Sequence, residues 1–248
     1  PERWQGREKF SGFTGSMGTL VVLRDRAVVF ADSRYWVQAE RELAATGVEL
    51  MKIPTGAGTH HIDWLAANLP EGATLAVDAA VLSLAMGKIL ADTMAARGVA
   101  VRTDIDMLDQ AWPDRPGMPQ AKVYEHLAPH APTPRGAKLD VLRAGMARHG
   151  ATHHFVSTLD DICWITNLRG ADVEYNPVFC AHLMVGNGAA TLFVDASKFD
   201  AALVARLAAD GVALAPYAEA TAALAALPAG STLLLDPRRI TLGFRQAV

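Results

Sequence analysis

The feature that most limits what this chain can fold into is that it repeats itself. AVVFAD (Ala27 to Asp32) leads through a helical stretch to Gly47-Val48-Glu49-Leu50, and TLFVD (Thr191 to Asp195) leads through another to Gly211-Val212-Ala213-Leu214. LPEGATLAVD (Leu69 to Asp78) then returns as LPAGSTLLLD (Leu227 to Asp236). The two offsets, about 163 and about 158 residues, differ by one short loop change, and each copy carries a hairpin upstream, Thr19 to Phe30 and His182 to Val194. Two copies of one fold, rather than one undivided core, are expected.

Short apolar runs separated by helical patterns give each copy an α/β character. Thr19 to Leu23, Ala27 to Phe30, Val48 to Ile53, Thr74 to Val77 and Val99 to Arg102 read as strands. Ser33 to Ala45 reads as a helix capped by Asp32, with Trp36, Ala39 and Leu43 on one face and Gly47 past its end. Thr59 to Asn68 and Val81 to Arg97 read likewise. Each domain is expected to be a mixed sheet flanked by helices.

In the second copy a helix (Lys138 to His149), a strand (Thr152 to Ser157) and LDDICWITNLRG precede the hairpin, whereas the first copy starts at REKFSGFTGS. The first domain is therefore expected to lack its opening strand and helix. About a dozen residues follow the strand at Leu233, where the first copy runs on through a helix and another strand, so both ends read as cut. Between the copies six prolines fall from Pro113 to Pro134, around a short helical reading at Lys122 to Leu127. Proline fixes φ and restrains the residue before it, which suits a semi-extended connector. The domains are expected at 1–128 and 138–248, with 129–137 as linker.

Composition excludes several classes of function. With 23 basic against 26 acidic residues, a net charge of −3 and no dense Lys/Arg run, nothing here attracts nucleic acid or an anionic membrane. The longest apolar stretches, Ala79 to Leu84 and Ala201 to Ala209, fall far short of the roughly 20 residues that span a bilayer. Two cysteines, Cys163 and Cys180, and no signal-like N-terminus fit a reducing cytoplasm.

Catalytic motifs are missing. Adjacent histidines, as in His60-His61 and His153-His154, diverge on a helix or a strand and are poorly placed to share one ion. Gly186-Asn187-Gly188 precedes a β run and reads as a hairpin turn rather than a phosphate cradle, and Gly12, Gly15 and Gly18 likewise open no helix. There is no GxSxG and no HExxH, and Cys163 sits among Ile162, Trp164 and Ile165 as an inert core thiol would. Two polar and aromatic clusters stand out: Asp32 to Trp36, and Asn167 to Gly170 followed by Glu174 to Pro177. They are either binding groups on a rigid scaffold or clamps that staple loop to sheet.

FSGFTGSMGTLVV, VVFADSRYWVQAERELAATGVEL, DQAWPDRPGMP, KLDVLRAGM and STLDDICWITNLRGADVEYNPVF occur in an order that resembles the two N-terminal domains of cytosolic-type, three-domain Xaa-Pro aminopeptidases. The resemblance covers essentially the whole chain and implies two creatinase-like N-terminal domains ahead of a pita-bread catalytic domain. It implies a metallopeptidase that removes the residue preceding proline at a peptide N-terminus, with two divalent ions, typically manganese, held by the C-terminal domain. None of those ligand motifs is present, so this segment is expected to bind no metal and to be inactive alone. The resemblance further implies a homodimer, and N-terminal domains that lie against the catalytic domain and narrow its mouth. By motif position the rim residues are expected to be Arg34, Tyr35 and Trp36 in the first domain and Arg169, Asn176 and Pro177 in the second, with Phe10 a lesser candidate. An alternative is a non-catalytic protein-interaction module on the same fold; a nucleotide-binding α/β protein is a third reading.

Overall fold

The structure, a computed structural model, describes residues 1–56 and 58–248. Its elements run α1 (Gly6–Ser11), β1 (Thr19–Val22), β2 (Ala27–Asp32), α2 (Trp36–Glu42), β3 (Val48–Ile53), α3 (His60–Asn68), β4 (Thr74–Ala76), α4 (Leu84–Ala95), β5 (Ala100–Arg102) and α5 (Met107–Ala111). Then follow β6 (Tyr124–Glu125), α6 (Arg135–Arg148), β7 (His153–Val156), α7 (Leu159–Thr166), β8 (Leu168–Arg169), β9 (His182–Gly186), β10 (Ala190–Phe193), α8 (Ala201–Ala209), β11 (Val212–Ala215), α9 (Ala220–Ala225), β12 (Leu233–Leu234) and α10 (Leu242–Gln246). They form two compact units, a smaller one of residues 2–78 and 88–117, and a larger one of residues 79–87 and 118–248 with Pro1.

In the smaller unit β1 pairs antiparallel with β2, and β2 parallel with β3. Phe13, Val29, Ala31, Ala39 and Leu43 pack into its core, which is the face that the apolar spacing of α2 was expected to bury. The larger unit has a five-stranded sheet in the order β11-β10-β9-β7-β12. Leu139, Met146, Ile162, Leu183, Leu192 and Leu207 lie at its centre, each with no exposed surface.

The repeat holds at the level of strand register. Thr19 faces Phe30 as His182 faces Phe193, and Ala27 faces Val48 as Ala190 faces Val212. Both Asp32 and Asp195, at equivalent strand ends, accept the amide two residues on, at 3.1 and 2.9 Å. In the larger unit β7 lies between β9 and β12, antiparallel to one and parallel to the other. In the smaller unit no strand among the described residues fills the equivalent place, and the β structure divides into β1-β2-β3 and β4-β5.

A further stretch of the repeat, too divergent to read in the sequence, appears in α1 and α7. Ser11 and Thr166 each donate a hydroxyl to the carbonyl four residues back, both at 2.6 Å. Gly12 and Asn167 end their helices in the left-handed region, at φ 77° and 54°, and the next residues, Phe13 and Leu168, are fully buried. Within the larger unit the two segments that follow β4 and β12 bond each other reciprocally. Leu84 N donates to Ile240 O and Leu242 N to Leu82 O, while Ala85 N donates to Pro237 O and Gly243 N to Ala79 O, all at 2.8–2.9 Å.

Three sequence expectations need correction. The helix expected from Ser33 begins at Trp36, without a side-chain cap, because the Asp32 carboxylate ends β2 and turns to Arg34 instead of the helix amides. Lys122 to Leu127 is not helical: Tyr124–Glu125 pairs with Leu168–Arg169, which sets the Glu125 carboxylate between Arg135 (2.6 Å) and Arg206 (2.7 Å). The helix expected from Val81 starts at Leu84, since residues 79–83 lie extended against the segment after β12.

Candidate functional site

The first cluster sits where β2 turns into α2. Arg34 donates from Nε to Asp32 Oδ1 (3.1 Å) and from Nη2 to Oδ2 (2.7 Å), a forked pair that holds the Asp32 carboxyl below the usual carboxylate range. The Arg34 side chain is still 63% exposed, so its outer face remains open to water. Tyr35 sets its ring edge-on to Phe13, with centroids 6.2 Å apart, and its hydroxyl lies 2.5 Å from Ser16 Oγ. Trp36 donates its indole N–H to Ala31 O at 3.0 Å, with the Lys52 ammonium 5.5 Å from the ring centroid. The polar atoms of Tyr35 and Trp36 are thus engaged in the unit itself. Phe10 is 41% exposed and rests edge-on against Trp112.

The second cluster is a loop on the larger unit. Arg169 folds back and donates from Nη1 to the carbonyls of Cys163 and Leu168, both at 2.8 Å, which closes the end of α7. Gly170 N donates to Pro177 O (3.3 Å) and Asn176 N to Val173 O (3.2 Å), leaving the side chains of Asn176 and Pro177 exposed. A side chain at Gly170 would collide with Phe179, its Cβ only 2.7 Å from that residue's. Arg34, Tyr35 and Trp36 therefore share one turn, and Arg169, Asn176 and Pro177 share one loop.

What holds that loop was not legible in the sequence. Asp172, whose side chain is fully buried, accepts from Cys180 N at 2.7 Å and from the ammonium of Lys198, itself 2% exposed. A lone aspartate and a lone lysine 26 residues apart carry no pattern. Arg135 was missed for the same reason: its guanidinium, 3% exposed, binds Thr166 O, Glu125 and Asp210. It lines a cavity of about 310 Å³ with Pro134 and Asn167, and each of its nitrogens already has a protein partner there.

Metal chemistry finds no donor set. Among the described residues no group of three or more His, Cys, Asp and Glu side chains could hold an ion. His153 lies 2.9 Å from Thr152 Oγ1 and His154 2.9 Å from Leu234 O, each through Nδ1, while burial lowers the His61 pKa. The thiols of Cys163 and Cys180 are both buried and pushed up to about 11, which makes them poor nucleophiles. Gly186 to Ala189 forms the expected hairpin turn, closed by Gly186 N to Ala189 O at 2.8 Å. No helix of the described residues is long and apolar enough to cross a membrane.

Comparison with known proteins matches two stretches, residues 8–109 and 114–248, each to a family model described as the Creatinase/Prolidase N-terminal domain. The chain is 32% identical over 245 residues to Aminopeptidase P2 of Arabidopsis thaliana, which covers 97% of the chain and 34% of that protein. It is 36% identical over 194 residues to Xaa-Pro aminopeptidase ApepP of Drosophila melanogaster, covering 77% of the chain and 32% of the relative. Among solved structures it is similar to the X-prolyl aminopeptidase of Caenorhabditis elegans, described as a cytosolic enzyme with a di-nuclear active site. The TM-score is 0.84 at 26% identity, over 91% of this chain and 37% of that one. The chain thus spans about a third of the length of the curated relatives it matches.

Proposed function

Because this chain belongs to the Creatinase/Prolidase N-terminal domain family, in both of its halves, we propose that it is the non-catalytic N-terminal portion of a cytoplasmic metallo-aminopeptidase. The parent enzyme removes the N-terminal residue from peptides with proline in second position. Its two divalent ions, manganese in this reading, lie in the remaining polypeptide, and it works as a homodimer. The observation that carries this reading is the pairing of two N-terminal family domains with a length one third that of Xaa-Pro aminopeptidases.

What this portion contributes is shape and polar surface at the entrance to the catalytic site. Arg34, Tyr35 and Trp36 on one turn and Arg169, Asn176 and Pro177 on one loop are the groups that would meet a peptide end or the catalytic domain. The guanidinium of Arg34 suits that role, being fixed on one side by Asp32 and open on the other. In the full-length parent, Arg34→Ala or Arg169→Ala should lower kcat/KM for an Xaa-Pro peptide by about tenfold, roughly 1.4 kcal/mol of transition-state binding. Melting should shift by only a few degrees. A large fall in melting temperature with unchanged turnover per folded molecule would make both arginines structural clamps.

A further inference from the structure

The offset between the two copies is 155 residues at Ser11/Thr166 and 163 at Thr19/His182, so the second copy holds eight extra residues between its first helix and its hairpin. Those residues make the loop between Gly170 and Cys180, and the fold does not need them, since the first copy closes the same connection without them. The base of the insertion is nonetheless rigid. Asp172 N donates to Val178 O at 3.0 Å, and the buried Asp172 carboxylate binds Cys180 N and Lys198, while Val178 and Phe179 enter the core. At the tip stands Tyr175, in the left-handed region at φ 60° and 97% exposed.

A tyrosine in that position is disfavoured twice. Left-handed backbone suits Gly or Asn, and an aromatic ring held in water gains nothing from burial. Such a conformation persists where the surroundings impose it, and it concentrates at sites of recognition. Nothing in this chain compensates for it apart from Glu174, whose carboxylate is hydrogen-bonded to the phenol. We propose that the inserted loop is a docking element, and that Tyr175 seats its ring in an apolar recess of the parent polypeptide outside these 248 residues, with Glu174 meeting a donor at the recess edge. This rests on the reading of the chain as part of a longer hydrolase, and it makes Tyr175, rather than its neighbours Asn176 and Pro177, the principal contact of the loop.

Hydrogen exchange on the intact parent tests it with Tyr175→Gly and Tyr175→Phe. Glycine suits the backbone at this position, so the loop base and the β9–β10 hairpin should keep their protection. One segment outside the 248 residues should exchange at least tenfold faster in Tyr175→Gly and like wild type in Tyr175→Phe. The proposal is overturned if no outside segment responds, if a response appears only when a peptide is added, which would assign the ring to substrate, or if it disappears on dilution, which would assign it to a second copy. Hydrolysis of an Xaa-Pro peptide is followed on the same wild-type sample. Its absence would remove the proposed activity while leaving the exchange result to stand by itself.

Discussion

Replacing Lys198 with methionine should destabilise the larger unit by about 3–5 kcal/mol, the usual consequence of leaving one member of a buried ion pair alone. The Asp172 side chain has no exposed surface, its Oδ2 serves both Lys198 and Cys180 N, and its Oδ1 has no partner. Methionine fills the space of the lysine stem but leaves the carboxylate uncompensated at the base of the loop. Adding Asp172→Asn to Lys198→Met should recover part of the loss, because the amide oxygen still accepts from Cys180 N and the stranded charge is gone. Urea denaturation reads both effects. A loss below about 1 kcal/mol in the single variant would mean that the carboxylate reaches water and that the pair is not what fixes the loop.

Acidification should weaken the same unit earlier than its carboxylates can account for. His182 is stacked on Phe155 and packed against Tyr217 and Phe244, with Nδ1 3.0 Å from Ser157 Oγ. Burial pushes its pKa from 6.5 down to about 4. Above pH 6.5 the ring is neutral in the folded and the unfolded chain, so its contribution is full and flat. Between pH 6.5 and about 4 the unfolded chain takes up a proton that the folded chain refuses, and about 3 kcal/mol is lost. His61, also lowered by burial, acts with the same sign in the smaller unit. Asp32 and Glu125, held low by their arginine partners, lose their contribution at the acid end of this window and below. Stability measured across pH 4–7 in wild type and His182→Phe should show the variant with a clearly flatter profile. Parallel profiles would mean that the imidazole is hydrated.

The doubling of the fold was legible because it rests on apolar runs and turn residues, which survive divergence: AVVFAD and TLFVD keep the same strand register, and LPEG and LPAG the same turn. The match between α1 and α7 was not, since the two copies keep only roles there, a back-bonding hydroxyl, a left-handed cap and a buried apolar residue, filled by different amino acids. Helix starts went astray where a side chain had a choice of partner: Asp32 could cap α2 or bind Arg34, and only the fold shows that it binds Arg34. Glu125 looked helical in a helix-friendly run, yet two arginines distant in sequence draw it into β6. The two candidate clusters could be picked out by composition, whereas the buried Asp172–Lys198 pair that anchors one of them depends on long-range packing.

The most direct measurement adds manganese and an Xaa-Pro tripeptide to the purified 248-residue chain and, in parallel, to its full-length parent. The chain should retain no stoichiometric ion after gel filtration and release no N-terminal amino acid, while the parent does both, because the described residues offer no donor cluster. A tightly held ion together with turnover by the 248-residue chain alone would contradict the assignment of its two creatinase-like units to a non-catalytic role.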